Sequence, residues 1–213
     1  MDLRVAIIDY GLGNVGSLSS CLTKIGIAFQ ITSDCEVIES SDAVIIPGVG
    51  SFDRGVNELK ERKLFSVLKE LASNGKPILG ICLGMQLLFE GSEESISGSD
   101  GLALLRGKVR RFPKDRISTI PHVGWNFVQF NVPFTECSSD YYFVHSYYCD
   151  PIDEKAIIGL TKYGQFKFVS SVQKENVFGF QFHPEKSGQI GRKLMTNFIA
   201  YVKEKNHSIS NSE

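Results

Sequence analysis

From Arg4 to Phe89 the chain alternates short apolar runs with stretches whose apolar residues recur at helical spacing, and no other feature constrains its fold as much. Residues 4–9 (RVAIID) read as a strand, and Val15, Leu18, Leu22 and Ile25 as one face of a helix. Residues 27–32 and 43–46 read as two more strands, the second closed by Pro47-Gly48. Across 54–72, Val56, Leu59, Leu64, Val67, Leu68 and Leu71 predict a single helix, and 77–81 reads as a buried strand ahead of a helix over 85–89. Strands separated by helices pair in parallel through helical crossovers. The expected fold class is therefore α/β, an open and mostly parallel sheet flanked by helices, with ligands at the carboxyl ends of its strands.

After Gly91 the pattern changes. Residues 91–101 (GSEESISGSDG) form a Ser/Gly/acidic loop, and beyond Val109 the runs are short, aromatic and punctuated by turns, as in FVQF, YYFVHSYY, FKFVSSV and VFGFQFH. These predict antiparallel strands in the second half. A last helix is expected over 190–205, with 206–213 fraying. No repeat or linker interrupts the chain, so its 213 residues are expected to form one domain over 1–205.

Composition narrows the partners. Lys plus Arg number 23 against 24 Asp plus Glu, so no overall field draws the chain to nucleic acid or to an acidic membrane. The apolar run near the N-terminus, Val5 to Ile8, is too short for a signal segment or a membrane span, and a cytoplasmic location is expected. The five cysteines include no C-x-x-C pair and read as free thiols. Only Cys82 has a context that argues for chemistry. His122, His145, His183 and His207 lack the spacing of zinc ligands, so no metal site is expected.

Gly80-Ile81-Cys82-Leu83-Gly84 has the G-x-nucleophile-x-G form between a strand (PILGI) and a helix (MQLLF). Flanking glycines let the backbone turn sharply enough to lift the central side chain to the end of the strand. The N–H groups just past the elbow are placed to hold a developing oxyanion. Spacing alone leaves open an ordinary tight turn with a buried thiol. In 177–185 (VFGFQFHPE), Phe178, Phe180 and Phe182 alternate with Gly179, Gln181 and His183, which puts the phenylalanines in the core and His183 on the open face. Glu185 shares the parity of His183, so nucleophile, base and orienting carboxylate are offered by Cys82, His183 and Glu185. Pro47-Gly48-Val49-Gly50 leaves another strand end with permissive backbone, a second source of oxyanion N–H.

A competing motif is Gly11-Leu12-Gly13-Asn14-Val15-Gly16, which matches G-x-G-x-x-G, with Asp34 at the place of a ribose-binding acid. That reading makes the chain a dinucleotide-binding oxidoreductase, but leaves both the elbow and His-Pro-Glu unexplained.

Taken together, GLGN (11–14), PGVGSF (47–52), GICLGMQLLF (80–89), PHVGWN (121–126), YFVHSYY (142–148) and GFQFHPEKSGQIG (179–191) resemble the class I (triad) glutamine amidotransferases. Within that class they are most similar to the branch that supplies ammonia to histidine biosynthesis. The resemblance implies a flavodoxin-like sheet, L-glutamine as substrate and no cofactor. It further implies a Cys82–His183–Glu185 triad, and oxyanion N–H groups from Leu83 and the Val49–Gly50 region. Gln86, Glu94 and the strand His145-Ser146-Tyr147 would hold the amino-acid end of glutamine, Glu94 facing the α-ammonium. The implied partner is a (β/α)8 cyclase of the HisF type, bound as a heterodimer through Asn14, Trp125 and Lys186. A glutaminase of the same design serving a surface-sugar amidotransferase is the alternative.

Overall fold

The computed structural model describes residues 3–131 and 134–210, with backbone only for 208–210. β1 (Arg4–Ile8) leads to α1 (Val15–Lys24), β2 (Ala28–Thr32), α2 (Cys35–Glu39), β3 (Ala43–Ile46), α3 (Phe52–Glu61), α4 (Leu64–Ser73), β4 (Ile78–Ile81) and α5 (Leu83–Leu87). The second half contains β5 (Gly91–Ser92), β6 (Gly107–Arg111), β7 (His122–Phe130), β8 (Ser139–His145), β9 (Tyr147–Pro151), β10 (Ile157–Tyr163), β11 (Phe166–Lys174), β12 (Val177–Phe180) and finally α6 (Gly188–Ser210).

The strands lie in the order β2-β1-β3-β4-β12-β11-β10-β7-β8, with β5, β6 and β9 on a side branch that meets β11. β2, β1, β3, β4 and β12 are parallel, and β12 joins them antiparallel to β11. The α/β class with antiparallel strands in the second half is thus the observed one. Side chains alternate across β1: Val5 and Ile7 pack with Leu18 and Leu22 of α1 and Leu194 and Phe198 of α6, while Ala6 and Ile8 face Ile38, Val56 and Leu68 of the other helical layer. Both faces of β1, β3 and β4 are covered, and this is why they read as apolar runs, while β2 at the edge stays largely exposed.

Several readings change, the helix expected over 85–89 starting already at Leu83. The single helix over 54–72 is two helices, broken where Lys63 takes a left-handed backbone (φ 62°). The apolar step from Leu59 to Leu64 is out of phase with a 3.6-residue repeat, and the break lets both segments turn their apolar faces to one core. α2, too short to register as a period, starts where Asp34 accepts the N–H of Glu36 at 2.9 Å. α6 continues past Lys205 to Ser210, through part of the segment expected to fray, while 211–213 fall outside the described residues. The run YYFVHSYY is two strands, β8 and β9, with Ser146 at the corner between them.

Candidate active site

Cys82 stands between β4 and α5 with φ 55° and ψ −108°, a backbone conformation that side chains rarely adopt. Its neighbours explain how the turn closes. A Cβ on Gly84 would lie 1.9 Å from the carbonyl oxygen of Ile46, and one on Gly80 would lie 2.5 Å from that of Gly84. Only glycine allows α5 to start directly on the backbones of β3 and β4. The Cys82 N–H donates to the carbonyl of Phe180 at 2.7 Å, which ties the elbow to the adjacent strand, β12.

That strand delivers His183. Phe178, Phe180 and Phe182 are fully buried, as expected, but so are Gln181 and His183, and the face expected to be open is closed. β12 lies at the centre of the sheet, and α5 covers its second face so closely that a Cβ on Gly179 would meet Met85 at 2.6 Å. Past the strand, Pro184–Lys186 forms a 3₁₀ turn. This turn, rather than extended parity, brings Glu185 to its neighbour: Oε1 lies 2.7 Å from His183 Nδ1, whose proton it accepts. On the opposite edge of the ring Nε2 is buried and makes no regular hydrogen bond. Burial lowers the His183 pKa, but the Cys82 sulfur and then the Glu185 carboxylate outweigh it, and the imidazole is pushed up to about 10.

Above Cys82 opens a cleft of about 290 Å³. Val49, Gly50 and Leu83 form one side, and Gly50 has a φ of 110°, open to glycine alone. Gln86, Glu94, His145, Ser146 and Tyr147 line the rest, together with Pro121 and Val144. Residues from widely separated parts of the sequence therefore converge on one space. Gln86 Nε2 lies 3.2 Å from both the Tyr147 carbonyl and Gln181 Oε1, and Gln181 Nε2 lies 3.8 Å from Cys82 Sγ. Glu94 reaches from the 91–101 loop to the start of α3, where its Oε2 accepts the N–H of Phe52 at 2.8 Å. Burial raises its pKa, against the pull of that N–H, and the charge of Asp53 adds to the rise. Asp53 in turn holds the loop, accepting from the N–H groups of Ile96 and Ser97 at 2.9 and 3.1 Å.

Sequence reasoning passed over Gln181, Asp53 and His122. Gln181 carries a signal, as a polar residue inside an aromatic strand. The pairing of His122 with His145, ring nitrogens 3.0 Å apart, depends on β7/β8 register and is invisible in the spacing of the histidines. Among the described residues no group of three His, Cys, Asp or Glu is placed to hold a metal ion, and no helix is long and apolar enough to cross a membrane.

The remaining candidates lie outside the cleft. Trp125 is 58% exposed and meets Tyr142 edge-on at 6.2 Å, while Lys186 Nζ sits 5.8 Å from the centre of the same tyrosine ring. Asn14 caps α1, its side chain accepting the N–H of Ser17 at 3.2 Å. This also argues against the dinucleotide reading: Asn14 occupies the helix start a pyrophosphate would need, and Asp34 is the cap of α2.

A cysteine elbow, a buried His–Glu pair on the neighbouring strand and a glycine-edged cleft define a class, and comparison with known proteins gives the same one. The chain belongs to the class-I glutamine amidotransferase family, whose model matches residues 6–201. More particularly, it is 48% identical over 204 residues to the imidazole glycerol phosphate synthase subunit HisH of Bacillus cereus (strain G9842), covering 93% of this chain and 95% of that one. It is 43% identical over 212 residues to the HisH subunit of Trichodesmium erythraeum (strain IMS101), covering 97% and 98%. Two solved structures share the fold: a glutamine amidotransferase (TM-score 0.76, 17% identity, 93% of this chain and 98% of that one) and PurLQS from Thermotoga maritima (TM-score 0.74, 20% identity, 95% and 100%).

Proposed function

We propose that this chain is the glutaminase subunit of imidazole glycerol phosphate synthase, hydrolysing glutamine to glutamate and passing the ammonia to a cyclase partner. The observation that carries the chemistry is the junction of β4 and β12, where the Cys82 N–H is bonded to Phe180 and the His183–Glu185 pair follows three residues later. Family membership and HisH-like relatives over nearly the whole length support the substrate and the pathway.

In this reading His183 holds the Cys82 thiol proton on Nε2 as the sulfur attacks the γ-carboxamide carbon of glutamine. The carbonyl electron pair moves onto oxygen, where N–H groups of Leu83 and of the Val49–Gly50 region receive it. As the oxyanion collapses, the C–N bond breaks and His183 gives its proton to the departing nitrogen, releasing ammonia and leaving a γ-glutamyl thioester. His183 then takes a proton from water as it attacks the thioester, and glutamate leaves with the sulfur restored. Glu185 holds the imidazole by Nδ1 throughout and stabilises its charged form. Glu94, Gln86 and the backbone of the 145–147 corner receive the amino-acid end of the substrate.

Ammonia released into water is protonated, so the product must pass directly into a partner. We assign that role to a (β/α)8 cyclase of the HisF type, docked over Trp125, Lys186 and Asn14, with residues 1–205 acting as one glutaminase unit. The test is complementation. Co-expressed with its cognate cyclase, the chain restores histidine-independent growth to cells lacking their own glutaminase subunit, and Lys186→Ala weakens the coupling of the two reactions. Failure to complement, with glutamine turnover intact beside a surface-sugar amidotransferase, would move the acceptor and leave the glutaminase assignment standing.

A further inference from the structure

His122, in the PHVGWN motif, is buried and has no part in the mechanism above. Its ring is stacked between Phe143, at 4.7 Å, and Tyr163, at 4.0 Å. β7/β8 register sets it opposite His145, and its Nδ1 lies 3.0 Å from His145 Nε2. His145 Nδ1 lies 2.7 Å from the carbonyl oxygen of Tyr147.

The chemistry of the two ends fixes every proton between them. A carbonyl oxygen only accepts, so His145 carries its proton on Nδ1 and its Nε2 is bare. His122 must therefore donate from Nδ1, which leaves its own Nε2 bare. Asn126 faces that nitrogen with Nδ2 at 3.4 Å, and donates to the Lys162 carbonyl at 3.0 Å as well. The amide cannot be reversed, because its Oδ1 accepts the N–H of Phe127 at 2.8 Å. Burial pulls both rings' pKa values down, to about 4 for His122 and about 3 for His145, and keeps the relay neutral.

The relay ends at the cleft. The Tyr147 carbonyl that receives the His145 proton also receives Gln86 Nε2, which links onward through Gln181 to Cys82. With both ring nitrogens engaged inside the protein, His145 has no free one for a ligand. We propose that His122 is a positioning residue: by fixing the tautomer of His145 it sets the backbone of the Ser146–Tyr147 corner, and so the fit of the substrate's amino-acid end rather than the chemistry at Cys82. This rests on the glutaminase reading, although the relay itself can be tested without it.

Two variants and one spectrum decide the matter. His122→Phe fills the stacked slot but cannot donate, and His122→Asn restores a donor at the place of Nδ1. Histidine ¹⁵N spectra of the full chain should show His145 protonated at Nδ1 in the parent and in His122→Asn, and a mixture of tautomers in His122→Phe. In the complex with the cyclase, His122→Phe should raise the KM for glutamine about tenfold, the equivalent of one hydrogen bond, and leave kcat within about threefold; His122→Asn should recover most of the loss. A parent chain with His145 protonated at Nε2 overturns the relay, even if no variant folds. A tautomer change with KM unmoved, or equal damage to both variants, overturns the positioning role. Absence of glutamine turnover in the parent refutes the glutaminase reading instead and leaves the spectrum to judge the relay.

Discussion

The backbone N–H of Phe52 is capped by a side chain 42 residues away: Glu94 Oε2 accepts it at 2.8 Å, while the N-cap residue Ser51 makes no side-chain bond of its own. One carboxylate thus serves the start of α3 and the wall of the cleft together. Glu94→Gln retains an acceptor for Phe52 and loses the charge, so it should raise the KM for glutamine with little change in thermal stability. Glu94→Ala should do the same and also lower stability by about 1 kcal/mol, the usual worth of a cap. Equal KM values in parent and both variants would remove Glu94 from substrate binding.

The triad variants should fall in order of their roles. Cys82→Ala should abolish glutamine-dependent synthesis by the complex while synthesis from added ammonia survives. His183→Ala should be nearly as severe, and Glu185→Gln milder, because the carboxylate acts only through the imidazole. An active His183 variant beside an inactive Glu185 variant would reverse that assignment.

At Cys82 the positive φ holds a side chain in strained backbone. Cys82→Gly and Cys82→Ala both lose the sulfur, but only glycine relaxes the turn. The glycine variant should be the more stable of the two by about 1 kcal/mol, despite its greater freedom when unfolded. Urea unfolding of the pair measures this directly, and a more stable alanine variant would show that the elbow carries no strain.

Stability should decline on both sides of neutrality. His122 and His145 are kept neutral, with pKa values near 4 and 3, against about 6.5 when unfolded. The unfolded chain then binds more protons below pH 6.5, and stability falls as pH drops from there toward 4. His183 has the opposite sign. Raised to about 10, it contributes fully below about pH 6.5 and its contribution is lost as pH climbs through 10. In chemical denaturation across this range, His122→Phe should flatten the acid limb and His183→Gln the alkaline limb.

The parallel half of the sheet and the elbow were legible because each is written locally. Periodicity marks β1 to β4, and the glycines at 80 and 84 state how closely α5 must approach. What escaped depends on contacts between distant segments. Nothing near His183 shows that it will be buried with its N–H bonded to Tyr142 of β8, and nothing near His122 shows that His145 will lie opposite. Glu94 was placed at the cleft by resemblance, yet its bond to Phe52 and the support of its loop by Asp53 appear only once α3 and the loop are brought together. The break at Lys63 is the reverse case, since the five-residue step from Leu59 to Leu64 is visible in the sequence and its phase alone marks the break.

β12 sits between β4 and β11, so among the described residues it is the sole ladder joining the parallel and antiparallel halves of the sheet. It is also the last strand among the described residues. During synthesis Cys82 and the other four parallel strands are therefore made before the segment that must pair with both β4 and β11. A chain that ends short of Val177 lacks the ladder between β4 and β11 and leaves the Cys82 thiol without the His183–Glu185 pair beside it.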